Sequence, residues 1–431
     1  MARRSSPQPS PADAYLASRV RFGVKFGLGT IRALVRALDH PERAYPTLLV
    51  AGTNGKGSVV AYASAALSAS GLRVGRYTSP HLVSVRERIA VDGIPISRKD
   101  LGRAVSRVRE AAAALVRAGA IPAHPTYFEA LTAAAFDHFR AARVDVAVLE
   151  VGMGGRLDAT NVARPLASAI VSIDRDHEAY LGTTLASIAR EKAGVLRKGR
   201  VTVLGPLRRE PRAAIAARAR ATGARILDAA RGVRVRDGNG GLDVRTPRHL
   251  YRAVHALPGR HQRDNLVVAI RLLEEARSAG VAVDLEAVPQ GISAARWPGR
   301  LERIPGRPPL LLDGAHNPAG ARALAHHLRT LGPFVLLFGA MTDKAVEEIA
   351  ETLFPLAAEV VLTRPPVSRA ASPAEIARRA GPLAAGARLE SDPRRALALA
   401  KRLAGRRPVV VAGSLYLVGE VMKALRRTPS G

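Results

Sequence analysis

The sequence contains no cysteine, which excludes a disulfide framework, a thiol nucleophile and a thiolate metal site. Aromatic residues make up only 4% of its 431 residues, with a single tryptophan, so stacking platforms for single-stranded nucleic acid are poorly supplied. It has no uninterrupted apolar run of about 20 residues, the length a transmembrane helix needs. The opening MARRSSPQPSPA carries two arginines with no apolar stretch behind them, so it does not read as a secretory signal. We therefore expect residues 1–12 to form a disordered tail and the protein to be cytoplasmic.

Lysine is also scarce, supplying only eight of the 66 basic residues. Set against 36 acidic residues, the basic ones give a formal net charge of +30. The arginines are spread along the chain without a block of five or six, which describes a solvated basic surface better than a nucleic-acid site. Such a field attracts anionic substrates. With 47% hydrophobic and 24% charged residues the composition is ordinary for a globular protein, and the length suggests two or three domains.

Short apolar runs recur, each followed by a glycine-containing turn and a helical stretch: 47–51, 145–150, 167–173, 201–204, 310–312, 334–338, 359–363 and 408–412. Helices are expected over 58–70, 128–142, 184–193 and 265–279. This alternation predicts parallel α/β sheets, whose strands are apolar on both faces. Residues 225–260 break the rhythm and suggest a small antiparallel hairpin. The segment Ala295-Arg296-Trp297-Pro298-Gly299-Arg300 reads as a linker, with a domain boundary near 297.

The strongest chemical signal is Ala51-Gly52-Thr53-Asn54-Gly55-Lys56-Gly57-Ser58, where an apolar strand runs into a glycine-rich turn and a helix. Such a turn aims backbone N–H groups at a phosphate, and the helix dipole adds to the attraction. Lys56 would reach the β- and γ-phosphates and Ser58 would lie near Mg²⁺, although the loop is shorter than the common G-x-x-x-x-G-K-[ST] pattern. Glu150 and His177 follow two further strands, at the ends where open sheets place their ligands. A carboxylate beside a triphosphate is a natural hard-metal ligand. His177 alone is more readily a satisfied polar residue than a metal ligand. Asp313 and His316 follow a strand in the second half and could grip a ribose or an adenine edge, or simply open a helix. Spacing gives Lys192 no role beyond that of a cation at a helix C-terminus.

In this order the motifs resemble those of the folylpolyglutamate synthase/dihydrofolate synthase family, a branch of the Mur ligases. They are AGTNGKGS (51–58), YTSPHL (77–82), TYFE (126–129), LEVGMGGRLDATN (149–161), DHEAYLG (176–182), REKAG (190–194), HQRDN (261–265), WPGR (297–300) and DGAHNP (313–318). The resemblance runs from Arg21-Phe22-Gly23 to Glu420. It implies an α/β fold of Mur ligase architecture, with a P-loop ATPase-like parallel-sheet domain (13–296) and a smaller Rossmann-like domain (297–431).

The resemblance also implies an ATP-dependent ligase that adds L-glutamate to reduced folates, and to dihydropteroate, through an acyl phosphate. Asn54, Gly55, Lys56, Gly57, Ser58, Asn265, Arg300, Asp313 and His316 would bind ATP. Ser79, Glu150 and His177 would serve two Mg²⁺ positions, and Lys192 resembles a lysine carried as a carbamate. Lys56, His177 and Lys192 are the implied catalytic residues. Thr126, Tyr127, Phe128, Glu129, Leu157, Asp158 and Ala159 resemble pterin-side contacts. Arg156-Leu157-Asp158-Ala159 favours the bifunctional form over one that only extends glutamate tails. Asp174 and Arg175 depart from the less charged residues common at their positions. TYFE and RLDA speak against a peptidoglycan ligase of the same fold, and glutamate-dependent phosphate release would separate a ligase from a simple P-loop kinase. A monomer acting on small molecules, without nucleic acid or membrane, is expected.

Overall fold

The computed structural model describes residues 10–20 and 27–427. Most of the expected tail and the start of the family resemblance at Arg21 lie outside the described residues. Ser10 caps a helix over Pro11–Arg19, so Pro11 and Ala12 are helical rather than part of a tail. No helix among the described residues is long and apolar enough to cross a membrane.

Eight strands form the first sheet: β1 (Thr47–Ala51), β2 (Val74–Tyr77), β3 (Ile89–Val91), β4 (Ile94–Pro95), β5 (Val146–Glu150), β6 (Ala167–Ile170), β7 (Val201–Leu204) and β8 (Arg225–Asp228). Their order is β4-β3-β2-β5-β1-β6-β7-β8, and pairing is parallel from β2 to β8. β1 is central, and its alternate residues go to opposite cores. Leu49 and Ala51 join the cluster under the helix Tyr127–Ala141, while Leu48 and Val50 join the one beneath the helices Lys56–Ala69 and His261–Ser278. Burial on both faces explains why the run TLLVA shows no polar alternation.

The expected hairpin is present as β9 (Arg234–Gly238) and β10 (Gly241–Arg245), to which β11 (Leu250–Val254) adds a third antiparallel strand, while β8 from the same segment extends the main sheet. The third strand went unread because the buried residues of β11, Tyr251 and Val254, are three apart and leave no alternation of period two to mark it.

The third sheet is β12 (Glu302–Ile304), β13 (Leu310–Leu312), β14 (Val335–Phe338), β15 (Glu359–Leu362), β16 (Arg388–Leu389) and β17 (Val409–Ala412), in the order β12-β13-β17-β14-β15-β16. Only the edge strand β12 runs antiparallel. The overall pattern is mixed rather than purely parallel, since β3 and β4 also run antiparallel at the first sheet's edge.

Candidate active site

The loop after β1 is shaped by its glycines. Gly55 has φ of 82°, and a Cβ there would lie 2.4 Å from the Asn265 side-chain oxygen. A Cβ on Gly57 would strike the Trp297 indole at 2.5 Å. The loop is tied to the end of β6. Thr53 N–H donates to the Ser172 carbonyl at 2.9 Å, Asn54 N–H donates to the Ser172 hydroxyl at 2.9 Å, and that hydroxyl donates to the Asn54 carbonyl at 3.0 Å. These bonds fix the course of the loop against the end of β6.

Lys56 opens the following helix, with its ammonium 3.2 Å from the Thr53 carbonyl. Ser58 is buried and accepts from Gln262 at 3.1 Å, while Asn265 donates to the other end of the same Gln262 amide. Glu150, at the end of β5, accepts from the Ser79 N–H at 3.1 Å. Burial raises the Glu150 pKa, partly countered by Lys56 and by that hydrogen bond.

Lys192 is buried and donates to the Gly52 carbonyl at 2.9 Å, which places it under the loop rather than at an exposed helix end. Burial, reinforced by Lys56, lowers its pKa to about 7. Burial also pushes His177 and His316 down to about 4, so both are neutral imidazoles at neutral pH.

Three joined cavities form one cleft. A cavity of about 110 Å³ is lined by Lys56, Ser58, Ser79, Glu150, His177, Lys192, Arg300 and His316. Asn54, Ser58, Arg300 and His316 connect it to a second of about 210 Å³, which reaches His261, Asn265 and Asp313. His177 and His316 connect it to a third of about 370 Å³, lined by Arg88, Thr126, Phe128, Glu129, Leu157, Asp158, Ala159 and Tyr416.

Nearly every residue singled out in the sequence thus meets in this cleft. Tyr127 is the exception, since its ring packs under the Arg88 guanidinium, 5.3 Å from its centroid, instead of lining the large cavity. Thr126 and Glu129 form a capping box for the helix Tyr127–Ala141, and the second Glu129 oxygen is buried without a protein partner. Asp158 accepts from Met153 N–H at 2.9 Å and from Thr160, and burial raises its pKa. The Asp313 carboxylate is held by the N–H groups of Leu301 and Ala315 at 2.9 and 2.8 Å.

Sequence reasoning assigned no role to the contact that joins the two parts of the chain. Asp176 accepts from Lys344 at 2.6 Å and from Asn317 at 3.0 Å, and Asn317 also donates to the Asn54 side chain at 3.0 Å. Burial alone would raise the Asp176 pKa, but His316, Lys344 and His177 around it hold it well below the usual carboxylate range. Lys344 follows β14 in a loop, and a lysine after a parallel strand end was the only signal it offered.

No group of three or more His, Asp or Glu side chains able to hold a metal occurs among the described residues. The donors that do converge suit a hard cation completed by other ligands: the Glu150 carboxylate, the adjoining Ser79 and the neutral imidazole of His177.

The chain is 33% identical to the dihydrofolate synthase/folylpolyglutamate synthase of Bacillus subtilis, over 96% of this chain and 98% of that one. It belongs to the folylpolyglutamate synthase/dihydrofolate synthase family. Residues 299–415 match the Mur ligase, glutamate ligase domain. Among solved structures, Mycobacterium tuberculosis folylpolyglutamate synthase complexed with ADP superposes with a TM-score of 0.89 at 34% identity, covering 97% of this chain and 98% of that one. A bifunctional folylpolyglutamate synthase/dihydrofolate synthase with Mn, AMPPNP and L-glutamate bound gives a TM-score of 0.85 at 32% identity, covering 98% and 100%. The expected Mur ligase architecture and ATP-dependent ligase class are thereby borne out, and the peptidoglycan reading gives way to folate-type glutamate ligation.

Proposed function

We propose that this chain joins L-glutamate to reduced folates and to dihydropteroate, using ATP and a divalent cation, as a monomer with an ATP-binding domain over residues 13–296 and a smaller domain over 297–431. The observation that carries the reading is the continuous cleft, in which a glycine-rich loop lies between a cavity of about 210 Å³ and a larger one of about 370 Å³ with buried polar ends. The relatives' names and the L-glutamate bound in one of them support the same chemistry.

Carboxylates do not condense with amines in water, because the leaving group is poor and the amine is protonated. In our reading the acceptor carboxylate attacks the γ-phosphorus of ATP and ADP leaves. The glutamate amine then attacks the acyl carbon, phosphate leaves and an amide remains. Lys56 and the loop N–H groups neutralise charge on the transferring phosphoryl group. Ser79 and Glu150 would hold one Mg²⁺ and His177 would serve a second position, where the cation would supply Lewis-acid charge neutralisation. Asn54, Gly55, Gly57, Ser58, Asn265, Arg300, Asp313 and His316 surround the nucleotide. Thr126, Phe128, Glu129, Leu157, Asp158 and Ala159 face the pterin, with Tyr127 acting through Arg88. The Asp176–Lys344 contact keeps the cleft closed, which protects an acyl phosphate from water.

A neutral Lys192 amine can attack CO₂, forming an N–C bond and releasing a proton to give a carbamate. Its pKa near 7 keeps that neutral form well populated at neutral pH, which supports the carbamate role.

The test is glutamate-dependent phosphate release from ATP and Mg²⁺, comparing dihydropteroate with tetrahydrofolate. Release with both acceptors is expected. Release with tetrahydrofolate alone would reduce the function to tail extension, and release with neither would refute it.

A further inference from the structure

Outside the cleft, at the junction of the two parts of the chain, lies a separate cavity of about 130 Å³. The first part supplies Asp174 and Arg175 from the turn after β6, and Arg208 at the start of the helix Arg209–Thr222. The second supplies Arg322 from the helix Pro318–Leu328 and Glu348 from the helix Val346–Leu353. None of these residues has a part in the nucleotide, metal or pterin assignments above.

Three guanidinium groups here face two carboxylates. Arg322 lies 3.8 Å from Asp174 and Arg175 lies 3.7 Å from Glu348. Both pairs are in ionic contact but beyond hydrogen-bonding distance, so the N–H donors of both arginines remain uncommitted. The Arg208 side chain has no ion pair or hydrogen bond with a described residue. Its field nevertheless reaches Asp174: burial raises the pKa of that carboxyl, while Arg322 and Arg208 pull it back down.

One positive charge is left over, which suits an anion. Any anion lying among these arginines must also face the Asp174 carboxylate, and a fully deprotonated one would be repelled by it. An oxyanion with an O–H of its own can donate that hydrogen to Asp174 and accept from the guanidinium groups with its other oxygens. Monohydrogen phosphate carries such a hydrogen at neutral pH, and sulfate carries none.

We propose that this cavity binds monohydrogen phosphate, with its O–H on the Asp174 carboxylate and its other oxygens on Arg175, Arg208 and Arg322. The bound ion ties Arg322 of the second part to Arg175 and Arg208 of the first, and so bridges the same junction as the Asp176–Lys344 contact. The proposal goes beyond the ligase reading and does not rest on it. Where that reading holds, the ligand is the reaction's own product.

The test titrates inorganic phosphate calorimetrically into the full-length protein saturated with Mg²⁺ and AMPPNP, which fill the nucleotide site. Wild type is expected to bind one phosphate, and sulfate about tenfold more weakly or not at all, because sulfate has no hydrogen for Asp174. Arg208→Gln and Arg322→Gln should each weaken phosphate binding by about tenfold or more, since each removes a charge-assisted contact. Both side chains are exposed, so these variants keep the fold, and their turnover without added phosphate should stay within about twofold of wild type. Asp174→Asn should erase the preference for phosphate over sulfate, because an amide can donate to either. Absence of phosphate binding, equal binding of sulfate by wild type, or phosphate binding that survives both arginine substitutions would overturn the proposal.

Discussion

The two parts of the chain contribute to the cleft in different ways. Residues from the first sheet arrive buried and pre-set: the loop after β1 is bonded to Ser172, Lys192 lies beneath it, and Glu150 is fixed by Ser79. Residues from the third sheet reach the cleft on loops. Their contacts with the first part include Lys344 and Asn317 on Asp176. In the proposed reading the first part supplies the phosphate pocket, and the second closes over it. Substitutions within the pocket should therefore abolish chemistry without loosening the molecule, whereas substitutions at the interface should weaken closure first.

The largest effect is expected inside the pocket. Lys56→Ala should lower kcat by about 10³-fold or more, since one preorganised charge on a transferring phosphoryl group is worth that much, while thermal stability stays unchanged. Retained turnover in a normally folded variant would remove the phosphate-loop assignment. Lys192→Ala should likewise be inactive, with partial rescue by added short carboxylic acids, and a fully active variant would refute the carbamate role.

Lys192 also gives a pH signature. Its pKa is about 7 when folded, against 10.5 for an unburied lysine. Between those values the unfolded chain binds the extra proton, so wild-type stability in CO₂-free buffer should rise as pH rises through that window. Lys192→Met should remove the slope, gaining most in Tm at pH 7 and below and nothing above pH 10.5. A gain that did not change with pH would contradict the buried-amine account.

Breaking the interface should cost less than losing the phosphate charge. Asp176 and Lys344 side chains are each only 7% exposed, and removing one partner leaves the other charge buried and unpaired. Asp176→Ala should cost about 3 kcal/mol of closure, on the order of 10²-fold in kcat/KM, by that reasoning. Lys344→Met should do the same, and the double variant should be less than additive because both remove one contact. Strict additivity would mean that the two residues act separately.

How much of this was legible in the sequence follows from distance along the chain. The phosphate loop, Glu150 and His177 each stand just past an apolar run, so strand ends announced them. Lys192 was legible only through the family resemblance, because its burial depends on Gly52, 140 residues away. Lys344 carried no local signal beyond its place after a strand end; its partner is 168 residues distant, and only the packing of the two sheets brings them together. The antiparallel strand at 250–254 was blurred for a different reason, since its buried residues are three apart and show no strand alternation.

The smallest effect is expected at the rim of the same interface, where Asp174 and Arg175 were noted as unusually charged. Arg175 lies 3.7 Å from Glu348, with side chains 57% and 44% exposed, and Arg322 lies 3.8 Å from Asp174. These pairs cross between the same two parts of the chain as Asp176 and Lys344, but water competes for them and salt screens them. Arg175→Ala should change stability by less than about 0.5 kcal/mol and kcat/KM by less than about twofold. That small effect should vanish when the ionic strength is raised, whereas the Asp176→Ala defect should persist, because its partners are shielded from solvent. A rim variant as damaging as Asp176→Ala would show that closure is spread over the whole interface, and the distinction between a buried contact and its solvated edge would fail.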